Sequence, residues 1–196
     1  MGIVAPHVII LAGPNGAGKS TSAPLLLRDT FAVDEFVNAD TIAYGLSAFA
    51  PEKAALEAGK IMLRRLRELA EKRTNFAFET TLASRSFAPW LKQLVESGYR
   101  AHLMFLTIPD AEFAISRVAK RVKLGGHHID ENVIRRRFAA GLRNLFTLYI
   151  PVVSSWKLYN NSIPGTPLDI AEGDRYTTTI ADERRFSDLK ARYGNE

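Results

Sequence analysis

The chain has 196 residues, with 26 Lys+Arg against 21 Asp+Glu, a formal charge of +5 and a pI near 9.6. The absence of cysteine excludes a disulfide scaffold, a cysteine-bound zinc, an iron–sulfur cluster and a thiol nucleophile. Apolar residues make up 46% and charged residues 24%, which excludes intrinsic disorder and fits a single globular domain over 1–196.

The chain opens with MGIVAPHVIILAG. It has no basic region ahead of its short apolar run, so a signal peptide is not expected, and Pro6 breaks a myristoylation pattern. No apolar stretch approaches the roughly 18–20 residues that span a bilayer, so the expectation is a cytoplasmic chain without membrane contact. Residues 7–13 form a continuous apolar run ending in glycine, as in a strand buried on both faces. A helix follows from Lys19 to about Arg28, with Pro24 placed to kink it. Residues 35–38 suit a short second strand. The longest helix runs from Pro51 to about Arg73, with Ala55, Ile61, Leu63, Leu66 and Leu69 as apolar positions.

Residues 75–80 read as a strand, 86–97 as a helix closed by Gly98, and 99–108 as a further strand. Asp110 is placed to cap a helix reaching Leu124. Gly125–Gly126 then interrupt, and a second helix over 130–146 aligns Ile134, Phe138, Leu142 and Leu145. The last core strand is expected over 149–159. Beyond it, 163–196 reads as an extension with a turn-rich stretch, a β-branched hairpin arm and a short helix. This alternation predicts a three-layer α/β fold of the phosphate-loop NTPase kind, with a mostly parallel sheet.

The strongest signal is Gly13-Pro14-Asn15-Gly16-Ala17-Gly18-Lys19-Ser20, which matches G-x-x-x-x-G-K-[ST] between a strand and a helix. These eight residues and the adjacent Thr21 are the candidate nucleotide contacts. Glycines allow backbone N–H groups to turn inward onto phosphate oxygens, and the helix N-terminus favours an anion. Lys19 offers a compact positive charge to the β- and γ-phosphates, and the Ser20 hydroxyl can ligate Mg²⁺. There is no Asn-Lys-x-Asp guanine motif and no Leu-Ser-Gly-Gly signature. The length suits a small kinase that joins ATP to a small-molecule hydroxyl acceptor.

Such a kinase needs a base and cations over the moving phosphoryl group. Asp40 follows the second strand and is the candidate base; capping a helix that begins at Thr41 is the other reading. Glu79 ends the third strand, where it can bind acceptor hydroxyls or hold a Mg²⁺-bound water, with Thr80 and Thr81 beside it. Arg117 and Arg121 share a helix face, and Arg135, Arg136 and Arg137 lie across the glycine pair. Residues 110–146 therefore suggest a helical lid, with Arg117, Arg121, Arg136, Arg137 and His127 as its candidate residues. His127 and His128 lack the supporting ligands of a zinc site, and His7 and His102 read as structural. Asn160 and Asn161 read as turn residues, with contact to a nucleotide base as the other possibility.

GPNGAGKS, FVNAD, FETTLAS, RVAKRVKLGGHHIDENVIRRRF and SWKLYNNS together resemble the zeta-toxin family of phosphate-loop kinases. The resemblance implies an ATP- and Mg²⁺-dependent phosphotransferase. Zeta toxins phosphorylate a hydroxyl of UDP-N-acetylglucosamine, and an antitoxin partner is compatible with the likeness. It assigns the base to Asp40, acceptor binding to Glu79, nucleotide and metal roles to Lys19 and Ser20, and lid roles to Arg121 with Arg136 or Arg137. The alternatives are a nucleotide-gated binding protein and a nucleoside or polynucleotide kinase. Residues 110–146 hold eight Lys+Arg against four acidic residues, which localises the basic excess. Aromatics do not interleave these cations, so nucleic acid is not the expected partner.

Overall fold

The computed structural model describes residues 5–31, 33–126, 128–163 and 165–194. Strand β1 (His7–Ala12) is central, and residues 8–12 are completely buried. Successive strand residues point to opposite faces, so both faces of β1 are covered. Strands β3 (Phe76–Thr80) and β4 (Arg100–Thr107) flank it in parallel. Strand β2 (Glu35–Val37) pairs with β3, and β5 (Ser155–Asn160) with β4, again in parallel. Strands β6 (Leu168–Gly173) and β7 (Thr178–Ile180) add antiparallel, giving the order β2-β3-β1-β4-β5-β6-β7.

Seven α-helices connect or cover these strands among the described residues: α1 (Lys19–Phe31), α2 (Ala39–Leu46), α3 (Pro51–Glu71), α4 (Phe87–Glu96), α5 (Ala111–Lys123), α6 (Glu131–Asn144) and α7 (Glu183–Tyr193). Pro51 begins α3, and Asp110 Oδ1 accepts from the Phe113 amide to cap α5. Helices α5 and α6 bury Ala114, Val118, Ile134, Phe138 and Leu142 in the same core as the sheet. None of the described helices is long and apolar enough to cross a membrane.

Two expectations are corrected. The 149–159 strand begins only at Ser155, because α6 continues as a π-helical turn over Leu145–Tyr149. There the Ile150 amide donates to the Leu145 carbonyl at 2.9 Å, five residues back, so the apolar residues continue a helical path. Helix α2 begins at Ala39, not Thr41, and its cap is Asn38: Asn38 Oδ1 accepts from the Asp40 and Thr41 amides at 2.8 and 3.3 Å. Asp40 is therefore not the cap, and its carboxylate is left for other use.

Candidate active site

The loop between β1 and α1 lies at the carboxyl ends of the parallel strands, where open α/β sheets place ligands. Gly13 (φ 142°) leaves no room for a side chain, since a Cβ would stand 2.4 Å from the Leu106 carbonyl oxygen. Gly18 (φ 81°) is constrained by its backbone conformation, and Asn161 Nδ2 stands 2.8 Å from where a Cβ would be. The loop is thus fixed from β4 and from the end of β5.

Lys19 is buried, and its Nζ donates to the Gly13 and Pro14 carbonyls at 2.9 and 3.1 Å. It pairs with Glu79 at 3.6 Å. Burial lowers the Lys19 pKa; Glu79 and Asp40 oppose the shift, and Arg121 adds to it. Four charged groups therefore share one local field. Ser20 Oγ and Asn38 Nδ2 both donate to Glu79 Oε2, at 2.8 and 2.7 Å. Glu79 consequently sits against the phosphate loop. The register explains this placement: Glu79 lies opposite Leu11 on β1, immediately before the loop. Thr80 and Thr81 use their Oγ1 atoms to accept from the Leu82 and Ala83 amides, at 3.1 and 3.4 Å.

A cavity of about 850 Å³ opens from this point. Asn15, Lys19, Asp40, Glu79 and Arg137 line it, so the base candidate and one arginine from α6 border the same space as the phosphate loop. Thr80, Thr81, Gly125, Gly126 and His128 also line it. Tyr44 and Phe49 add an apolar wall from α2 and its connection to α3.

The other arginines diverge. Arg121 acts electrostatically on Lys19 and packs its stem against Gly126. Arg117 braces the phosphate loop from outside: Nη1 donates to the Gly16 and Asn161 carbonyls at 3.2 and 2.9 Å, and Nη2 to the Ser162 carbonyl at 2.7 Å. Arg135 bonds Glu112 through Nε and Nη2, at 2.8 and 3.1 Å, and also meets Glu131. Arg136 is exposed and does not line the cavity, because it points away from the face carrying Ile134 and Phe138. His127 lies outside the described residues.

Three residues of the site did not stand out in the sequence for the parts they play. Asn38 orients Glu79 as well as capping α2. Asn161, read as a turn residue, is fully buried and donates from Nδ2 to the Ala17 carbonyl at 2.6 Å. Asn144 donates to the Leu82 carbonyl at 2.7 Å and so holds the turn after Thr81. Adjacent polar residues at the end of a strand were the available signal for Asn38 and Asn161; Asn144 gave none.

A mostly parallel sheet with a phosphate loop after its central strand defines a phosphate-loop, kinase-like nucleotide-binding fold. A family model described as an AAA domain (AAA_33) matches residues 8–146, and the chain belongs to that family. An uncharacterized protein of Haemophilus influenzae is 31% identical over 130 residues, covering 66% of this chain and 91% of the relative. The fold is shared with AvrRxo1-ORF1:AvrRxo1-ORF2 solved with ATP, at TM-score 0.72 and 17% identity. That match covers 94% of this chain, which spans only 63% of the AvrRxo1 chain's length. A structure of the PezAT chromosomal toxin–antitoxin system of Streptococcus pneumoniae matches all of this chain and 81% of its own, at TM-score 0.66 and 17% identity. A gluconokinase of Sinorhizobium meliloti matches 81% of this chain and 84% of its own, at TM-score 0.52 and 11% identity.

Proposed function

We propose that the chain is an ATP-dependent phosphotransferase acting on a hydroxyl of a small molecule. The observation that carries this is the placing of Asp40, free of helix capping, in one cavity with Lys19. The loop amides, Lys19 and Thr21 would hold the triphosphate. The Ser20 hydroxyl, with Glu79 through water, has the oxygen chemistry that suits Mg²⁺. When bound, the ion neutralises phosphate charge.

The acceptor oxygen forms a bond to the γ-phosphorus while the bond from that phosphorus to the β–γ bridging oxygen breaks, and ADP departs. Asp40 takes the hydroxyl proton as the nucleophile develops. Arg137 and Arg121 supply positive charge over the transferred group. Glu79 orients Ser20 and Lys19, and the 110–146 segment acts as the lid. An antitoxin partner fits the toxin–antitoxin neighbour; an acceptor such as UDP-N-acetylglucosamine and a cytoplasmic setting rest on the zeta-toxin resemblance of the sequence alone.

Incubation with labelled ATP, Mg²⁺ and a panel of sugars, nucleosides and UDP-sugars should yield a phosphorylated acceptor. Asp40→Asn should slow transfer by about 100-fold to 10,000-fold, the usual worth of a general base, while ATP binding is retained. Equal transfer by the two proteins would remove Asp40 from this role.

A further inference from the structure

Capping alone does not require an asparagine at the start of α2. Asparagine, aspartate and serine serve a helix N-terminus about equally well, because each offers an oxygen to the first free amides. Asn38 uses only Oδ1 for that purpose, accepting from the Asp40 and Thr41 amides at 2.8 and 3.3 Å. Its Nδ2 does something else: it donates to Glu79 Oε2 at 2.7 Å. A carboxamide accepts at one corner and donates at the other. A carboxylate only accepts, and a serine hydroxyl is a single atom one bond closer to the backbone. The choice of asparagine is therefore explained by Glu79, not by the cap.

The register makes this contact possible. Strand β2 pairs with β3 in parallel as far as Val37 and Phe78, so the next residues, Asn38 and Glu79, leave neighbouring strands side by side. Strand β3 in turn lies beside β1, whose loop leads to Ser20. Ser20 Oγ donates to the same Glu79 Oε2, at 2.8 Å. Asn38 is only 8% exposed and the Glu79 side chain 10%, so water competes poorly for these bonds. One side chain thus touches the backbone of the base candidate and the carboxylate that holds the metal-ligand candidate.

We propose that Asn38 is a positioning residue that fixes Asp40 and Glu79 relative to each other. Oδ1 sets where α2 begins, and hence where Asp40 stands. Nδ2 holds Glu79 toward Ser20, so that the Ser20 proton goes to Glu79 and its lone pairs are left for the metal. The inference rests on the Ser20 and Mg²⁺ part of the phosphotransferase reading and on no particular acceptor. Asn38→Ser keeps the cap and leaves Glu79 short of one donor. Asn38→Ala removes both functions.

The test measures ATP affinity by calorimetry on the full-length protein, with and without Mg²⁺, together with the melting temperature of the free protein. Wild type should bind ATP more tightly in Mg²⁺. Asn38→Ser should weaken binding in Mg²⁺ about tenfold, the usual worth of a hydrogen bond to a charged group, and binding without Mg²⁺ by less than about twofold. Its melting temperature should stay close to that of wild type, whereas Asn38→Ala should show the same Mg²⁺-dependent loss and melt about 2–4 °C lower. On a Glu79→Ala background, Asn38→Ser should cost no further Mg²⁺-dependent affinity, since the partner is gone. Wild-type binding indifferent to Mg²⁺, an unaffected Asn38→Ser variant, a loss equal with and without Mg²⁺, or the same loss on both backgrounds would each overturn the proposal. So would an Asn38→Ala variant that melts no lower than Asn38→Ser. The expected pattern in a protein that transfers phosphate to no acceptor would uphold Asn38 and overturn the phosphotransferase reading instead.

Discussion

Asn161 stands at the end of β5 with its side chain among the buried atoms beneath the phosphate loop. Its Nδ2 atom satisfies the Ala17 carbonyl at 2.6 Å and also meets Ser22 Oγ at 3.4 Å. Asn161→Ala leaves that carbonyl without its partner, and an orphaned buried polar group costs about 1–3 kcal/mol. At this chain length each kcal/mol lowers the melting temperature by about 2–4 °C. A lower melting point together with weaker ATP binding is the expected result, measured by calorimetry with and without nucleotide. Asn161→Asp should do worse, since it turns an acceptor oxygen toward the same carbonyl. The second residue with a measurable signature lies at the amino ends of the strands. His102 Nε2 and His7 Nδ1 are 2.9 Å apart, and His102 Nδ1 is 2.8 Å from Ser155 Oγ. Burial first, then the neighbouring His7 and Arg100, lower the His102 pKa to about 4. The folded protein therefore binds this proton less readily than the unfolded chain, whose histidine titrates near 6.5. Stability from the neutral ring is complete above about pH 6.5 and is lost as pH falls from there toward 4. A melting-temperature series across that window should decline, and His102→Gln should flatten it; an unchanged slope in the variant would place the titration elsewhere.

At the scale of elements, α6 holds the turn that carries Thr80 and Thr81. Asn144 donates to the Leu82 and Ala83 carbonyls at 2.7 and 3.3 Å, and the Tyr149 hydroxyl donates to the Ser84 carbonyl. Leu82 is fully buried at φ 55°, a conformation that a leucine keeps only when its surroundings enforce it. Gly141 permits the close approach, because a Cβ there would stand 2.4 Å from the Thr81 carbonyl oxygen. Gly141→Ala must push helix and turn apart, at about 1–3 kcal/mol for an overpacked contact. Thermal unfolding should register that loss, and transfer activity should fall with it, since the displaced turn lines the cavity beside Glu79. None of this clamp was legible in the sequence. Gly141 and Asn144 sit inside an ordinary helical pattern, and their partners lie about 60 residues away. What could be read was local. The phosphate loop, the buried strand before it and the Asp110 cap depend on neighbours within a few residues. Asp40 was ambiguous for the same reason: whether it capped α2 turned on whether Asn38, two residues earlier, took the cap.

Across the whole molecule, the sheet runs without a break from β2 through β7, so the C-terminal extension is continuous with the nucleotide-binding part. Lys157 on β5 ties β6 down through Asp169 and Glu172, at 2.9 and 3.0 Å. Phe186 of α7 stacks on Trp156 of β5, with centroids 6.2 Å apart and planes 7° from parallel, and meets Phe146 edge-on at 6.3 Å. Trp156 is also in the core cluster that includes β1, α5 and α6. The extension thus covers one end of the layer that positions Asn161 and the phosphate loop. If residues 1–196 fold as one unit, damage in α7 must propagate to the nucleotide site. Phe186→Ala removes a nearly buried ring, a loss of about 3–5 kcal/mol. Unfolding should remain a single transition at a lower temperature, and ATP should raise that temperature as binding to the native state demands. An early transition that ATP does not shift, followed by one at the original temperature that it does, would mean that the extension unfolds independently of the nucleotide-binding part.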